Sequence, residues 1–236
     1  MDTCDFRPRY AVYFVPADDH PLFRFGRAVL GYDCYSGEEP APPPLPGIGP
    51  AELAALTREP RVYGFHATLK APFRLLSPLA ESDLMQEFAT FVAAQNTIPV
   101  IAPCVRTLGA YIAVMARRPC DTLDQLAARC VEQFDRFRAP LASKERERRL
   151  AAGLDPTEIA NLDRWGYPFV FDAFRFHMTL AGPVPSARRA EILALMGEAF
   201  ARHCGAAELP VDRLALLRQD TAQARFRVLA QKAFPV

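Results

Sequence analysis

Phe65-His66-Ala67-Thr68-Leu69-Lys70-Ala71-Pro72 returns, 111 residues later, as Phe176-His177-Met178-Thr179-Leu180-Ala181-Gly182-Pro183, with five of the eight positions identical. At the same offset Ile98-Pro99-Val100 falls on Leu209-Pro210-Val211 without a gap. Each motif is followed by a helical pattern and then two strand-like runs. These are 81–95, 100–106 and 110–116 after the first, and 186–203, 211–217 and 225–231 after the second. A fixed-period echo of this kind signals two copies of one supersecondary unit. A histidine followed two positions later by threonine would arise twice by chance in roughly 1% of such chains. Mixed helices and strands on short connections predict an α+β fold of two pseudo-symmetric lobes, forming a single two-lobed domain over residues 1–236.

Working outward, Tyr10-Ala-Val-Tyr-Phe-Val15 is β-branched and aromatic and predicts a buried strand ended by Pro16. Asp18 or Asp19 is placed to cap a helix running to Leu30 and stopped by Gly31. Residues 36–50 hold six prolines and three glycines and predict an extended, exposed loop. The motifs themselves are expected in strands over Arg61–Leu69 and Tyr167–Leu180. Leu123, Leu126, Cys130, Val131 and Phe134 keep helical spacing. Lys144-Glu-Arg-Glu-Arg-Arg149 reads as a solvated helical face.

Half of the 236 residues are hydrophobic, 23% are charged, and the net charge is +1. That profile suits a soluble globular protein and gives no global pull toward nucleic acid or an anionic membrane. The first apolar run is too short for a signal-peptide core, Asp2 and Asp5 precede it, and no segment approaches the length needed to span a bilayer. The six cysteines (Cys4, Cys34, Cys104, Cys120, Cys130, Cys204) form no C-x-x-C pair. Reduced cysteines and a cytoplasmic setting are expected.

Side chains alternate along a strand, so His66 and Thr68 share a face with Gly64 and Lys70. In the second copy His177 and Thr179 share a face with Arg175 and Ala181. If pseudo-symmetry makes the two faces confront one another, the cleft holds two imidazoles, two hydroxyls and two cations. That set suits a phosphodiester. One imidazole takes a proton from water, the other protonates the leaving oxygen, and hydroxyls and cations hold the non-bridging oxygens. Lys70 and Arg175 are the candidate substrate-binding cations. No metal or cofactor is expected, because two histidines fall short of the usual ligand set and Asp172 should face away from His177. His20 and His203 lie outside the repeat and read as structural, and Trp165 reads as core packing.

The paired H-x-T-hydrophobic motif resembles the signature of the two-histidine (2H) phosphoesterase superfamily. Its members include RNA ligase-like proteins and cyclic nucleotide phosphodiesterases. The strings Tyr63-Gly-Phe-His-Ala-Thr-Leu-Lys-Ala-Pro-Phe-Arg74 and Arg164–Leu180 are similar to the branch encoded with phosphonate-utilisation genes, and the resemblance extends to Arg9-Tyr10-Ala-Val-Tyr and Arg148–Gly153. It implies two antiparallel lobes flanking a V-shaped cleft with helices outside. It also implies acid–base work by His66 and His177 and phosphate holding by Thr68 and Thr179, with His177 as base and His66 as acid. The implied substrate is a small cyclic phosphate, such as the ribosyl cyclic phosphate left by carbon–phosphorus cleavage. Two other readings are an RNA end-processing enzyme with the same chemistry and a non-catalytic module that binds a phosphorylated metabolite. No evident aromatic-plus-basic platform supports RNA, and a pure binder has no need of paired proton carriers.

Overall fold

The computed structural model describes residues 7–235, so Asp2, Cys4 and Asp5 lie outside the described residues. Its strands are β1 (Arg9–Phe14), β2 (Ala67–Arg74), β3 (Val100–Ile101), β4 (Pro103–Leu108), β5 (Tyr111–Ala116), β6 (His177–Ala181), β7 (Leu209–Pro210), β8 (Arg213–Gln219) and β9 (Arg227–Ala233). Its helices are α1 (Pro21–Leu30), α2 (Pro50–Leu56), α3 (Arg58–Arg61), α4 (Glu81–Ala93), α5 (Asp121–Asp135), α6 (Ser143–Leu150), α7 (Pro156–Trp165) and α8 (Ser186–Cys204). The architecture is α+β. Seven strands form one sheet in the order β4-β5-β6-β2-β1-β8-β9, every adjacent pair antiparallel, and β3 and β7 form a small second sheet.

The two motif strands lie side by side at the middle of the large sheet, so the antiparallel sheets expected of two lobes run together as one. Ala67 pairs with Met178, its own equivalent at an offset of 111. In the small sheet Val100 pairs with Pro210, and the Val211 amide donates to the Pro99 carbonyl at 2.8 Å. Each bond exchanges one residue with the equivalent of its neighbour. A pseudo-two-fold axis therefore passes through both sheets. The strand order places β1 on the outer side of β2 as β5 stands on the outer side of β6, so the repeated unit begins one strand earlier than the motif.

One continuous core joins the halves, with Tyr13, Phe14, Phe23, Phe65, Phe88 and Phe134 all fully buried. Burying each large apolar side chain contributes about 1.5–3 kcal/mol. Helix α1 approaches the first motif closely because it has no side chain at Gly26, where a Cβ would stand 2.2 Å from the Phe65 ring. Its N-cap is His20, whose Nδ1 accepts from the Leu22 amide at 3.1 Å, rather than Asp18 or Asp19. Gly31 closes it in the left-handed conformation as expected.

Three expected elements differ. Residues Arg58–Arg61 are helical, and β2 begins only at Ala67, because Gly64 turns the chain with φ +75°. The second motif strand is confined to His177–Ala181, since Pro168 interrupts it and a 3-10 turn forms at Phe171–Ala173. The proline-rich segment is not wholly extended. It buries Leu45 and Ile48, then enters α2 at Pro50, and Arg188 of α8 donates to the Gly47 carbonyl at 2.9 Å. Among the described residues no helix is long and apolar enough to cross a membrane, and five cysteines are free thiols.

Candidate active site

A cleft over the centre of the sheet is lined by His66, Thr68, His177 and Thr179 together. The pairing of Ala67 with Met178 sets Thr68 across from His177 and Thr179 across from His66, which interleaves the two motifs. The cavity volume is about 320 Å³, at the small end of the usual range for ligand pockets.

Each imidazole is oriented by a backbone carbonyl two residues before it. His66 Nδ1–H donates to the Gly64 oxygen at 2.8 Å, and His177 Nδ1–H to the Arg175 oxygen at 2.7 Å. Gly64 and Arg175 are themselves related by the 111-residue offset. A carbonyl only accepts, so both rings carry a proton on Nδ1, and in the neutral imidazole Nε2 is left as an acceptor. The Thr68 hydroxyl donates to His66 Nε2 at 3.2 Å. Gly64 resists substitution twice over: its φ is positive, and a Cβ there would lie 2.8 Å from that of Cys34.

The rings sit in unequal surroundings. Tyr13 stacks on His66 with centroids 3.8 Å apart and planes at 22°. Burial, aided by repulsion from His177, pushes the His66 imidazole down to about 4. Burial lowers His177 as well. The Tyr13 hydroxyl, beside Thr68, is enclosed without a hydrogen bond of ordinary geometry.

The expected cations are not those in the cleft. Lys70 leaves the His66 face because β2 carries a bulge. Tyr13 pairs with Thr68 but the adjacent Val12 pairs with Lys70, so Leu69 is the extra residue and the alternation reverses. Lys70 is buried, and its ammonium bonds the Val131 carbonyl at 3.0 Å and Asp135 at 2.9 Å on α5. The second copy repeats the irregularity at Leu180, where Ala113 pairs with Thr179 and Ile112 with Ala181. Arg175 is exposed in an adjoining pocket, with Nη1 turned back to the Asp172 and Phe174 carbonyls at 2.8 and 2.6 Å. Arg9, Arg148 and Arg149 line the cleft instead, opposed by the single carboxylate of Glu59. Helix α6 is therefore a cleft wall as well as a solvated face. Arg149 lies 5.3 Å over the Tyr167 ring and donates to Glu145 at 3.0 Å.

His20 and His203 stay outside the cleft, the latter bonding the Ala199 carbonyl at 2.8 Å near the end of α8. Trp165 packs edge-on to Phe171 at 5.1 Å. No residue of 36–50 lines the cleft. Among the described residues no three His, Cys, Asp or Glu side chains are grouped as a metal ion would require.

The chain is 40% identical over 222 residues to a Janthinobacterium sp. (strain Marseille) protein named ribose 1,5-bisphosphate phosphokinase PhnN, covering 92% of this chain and 49% of the relative. A Laribacter hongkongensis (strain HLHK9) protein of the same name is 31% identical over 227 residues, 93% of this chain and 50% of the relative. The chain thus spans about half the length of the curated relatives it matches. A solved structure, a conserved protein of unknown function from Agrobacterium tumefaciens str. C58, is 12% identical with a TM-score of 0.43, over 95% of this chain and 85% of that one. Likeness at that level decides nothing. Residues 68–227, which take in the second motif whole and the first from Thr68 onward, match the family described as protein of unknown function (DUF1045), and the chain belongs to that family.

Proposed function

We propose that this chain is a metal-independent phosphodiesterase that opens a small cyclic phosphate to a monoester. The observation that carries the reading is the pair of imidazoles on adjacent strands, each with Nδ1–H held by a carbonyl and Nε2 left for the cleft. In the step, a water oxygen bonds to phosphorus and the ring P–O bond breaks. One histidine Nε2 takes the water's proton, and the other, charged, gives its Nε2 proton to the departing sugar oxygen. The products are a phosphomonoester and a free hydroxyl, and the histidines exchange protons with solvent before the next turnover. Thr68, Thr179 and the cleft arginines bear the charge on the non-bridging oxygens. The Tyr13 ring stacked on His66 and the repulsion exerted there by His177 favour His66, the neutral ring, as base, and His177 as acid. That is the reverse of the order implied by the family resemblance.

The relatives' names concern phosphorylation of ribose 1,5-bisphosphate. This chain contains no G-x-x-x-x-G-K-[ST] sequence to cradle a nucleotide's phosphates, so we assign that phosphorylation to the half of the relatives it does not span. Opening a 1,2-cyclic phosphate of ribose 5-phosphate at the O2 bond yields ribose 1,5-bisphosphate, the compound in those names. This links the proposed hydrolysis to phosphonate-related ribose metabolism.

A second reading, cyclic-phosphate ends on RNA, draws on the adjoining cavity of about 700 Å³ beside His177, where Tyr111, Tyr167, Phe169 and Phe174 supply aromatic surface that a base could occupy. The deciding experiment offers purified protein a ribose 1,2-cyclic phosphate and an oligonucleotide ending in a 2′,3′-cyclic phosphate, with EDTA throughout. Monoester formation from the first is expected. Loss of turnover in EDTA with recovery on zinc or manganese would refute the mechanism, as would ATP-dependent phosphorylation of ribose 1,5-bisphosphate by this chain alone.

A further inference from the structure

Next to the catalytic cleft, and sharing Arg9 and Arg148 with it, lies a second pocket of about 420 Å³ lined by Arg9, Arg74, Lys144, Glu145, Arg148 and Ala222. Building on the phosphodiesterase reading, we propose that this pocket seats a second phosphate of the substrate, a monoester, and that the enzyme acts on a sugar bearing both a cyclic and a terminal phosphate.

Four cations surround one carboxylate there. Glu145 is already shared among Arg74 at 3.6 Å, Arg148 at 4.0 Å and Arg149 at 3.0 Å. Arg9 and Arg74 stand directly opposite one another on β1 and β2. Like charges placed directly across two strands are unfavourable, and a bound dianion offsets that cost. The arrangement is built into the fold. Arg9 Nε donates to Gln219 at 2.7 Å, and its guanidinium lies 5.4 Å over the Phe226 ring. Lys144 and Arg148 are four residues apart on α6 and so project from one side of that helix. Because Arg9 and Arg148 border both cavities, one guanidinium can reach the cyclic phosphate while its neighbours hold the terminal one. A single sugar ring then bridges the two sites. The same cations would hold the product, a sugar bisphosphate, so the consuming reaction must take such a compound.

The test compares ribose 1,2-cyclic phosphate with its 5-phosphate. The 5-phosphate is expected to be hydrolysed with kcat/KM higher by about 10²-fold, the worth of one or two charge-assisted hydrogen bonds. Lys144→Gln and Arg74→Gln are each expected to lower kcat/KM about tenfold for the 5-phosphate, through KM, and far less for the other compound. Lys144→Arg should restore the preference. Lys144 is exposed, so its variants report even if Arg74→Gln disturbs the seating of α6. Equal kcat/KM for the two compounds, or a preference that survives both substitutions, would overturn this inference alone. Hydrolysis of neither compound would sink the phosphodiesterase reading, and this inference with it.

Discussion

The two copies of the motif share the carbonyl bond at Nδ1 that orients each histidine and differ in what covers the ring. Tyr13 pairs with Thr68, and the corresponding residue beside Thr179 is Ala113. An aromatic ring therefore lies flat on His66, whereas the second copy presents only a methyl group at that place. One substitution in an otherwise repeated frame separates two chemically identical side chains. The covered imidazole is held neutral by its burial and by repulsion from His177, and the proposed mechanism gives the proton donor's part to the uncovered one. Backbone symmetry supplies the opposed pair, and neighbouring strands break the symmetry as the proposed acid–base step needs.

The comparison is most directly broken at the histidines. Replacing His66 or His177 by Ala should each lower kcat about 10²–10⁴-fold, and the double variant should fall well short of the product of the two losses. A substrate with a good leaving group needs no proton donor. It should restore turnover to His177→Ala and not to His66→Ala, and rescue of His66→Ala instead would reverse the assignment. Thr68→Ala and Thr179→Ala should cost roughly 1.5–3 kcal/mol of transition-state stabilisation each, read as kcat/KM. Thr68 should matter more because its hydroxyl also bonds His66 Nε2.

The pH dependence sharpens the contrast. Both rings titrate below the ordinary value of 6.5, so the singly protonated pair is most abundant at acidic pH. The kcat/KM profile of free enzyme should be bell-shaped with its maximum below 6.5, and an optimum at 7.5 or above would contradict the depressed histidines. Stability follows with a defined sign. The unfolded chain binds a proton at His66 below about 6.5 and the folded protein only near 4, so the stabilising contribution is present above the higher value and is lost as pH falls through that window. The loss is on the order of 3 kcal/mol, readable as a fall in Tm between pH 7 and pH 4 that His66→Asn should lessen. The smallest effect on activity belongs to Lys70→Met. It should lower Tm by weakening the contact with Asp135 while leaving kcat within about twofold. A large rise in KM would return Lys70 to the site.

The candidate site was legible in the sequence where it is local. His66, Thr68, His177 and Thr179 carry the repeat within four residues of chain each, and all four line one cleft. The cations were not, because their places depend on events that a period-2 pattern does not encode. A bulge at Leu69 turns Lys70 toward α5, and the second motif strand begins only at His177, so Arg175 lies before it with its guanidinium turned back to the Asp172 and Phe174 carbonyls. Arg148 and Arg149 sit in a run whose composition suits water, and only the docking of α6 brings them to the cleft. Tyr13 belongs to a strand read as core over residues 10–15, and Arg9 lies just before the residues read as that strand. Tyr10, Val12 and Phe14 look to be the same kind of residue, and sequence gave no sign that Tyr13 faces the histidine. The α+β class was legible from the alternation of patterns. The merging of the halves into one sheet depends on the pairing of β2 with β6, which neither copy reveals alone.

The axis through Ala67 and Met178 is the symmetry of an isologous dimer written into one polypeptide. A chain of half this length, pairing with a second copy edge to edge along its motif strand, would generate the same cleft from two identical surfaces. Once the halves are fused, the proposed mechanism makes each histidine useless without the other and so binds the two motifs into one unit. Their flanks are under no such bond. Tyr13 against Ala113 and Lys70 against Ala181 are places where the two halves part.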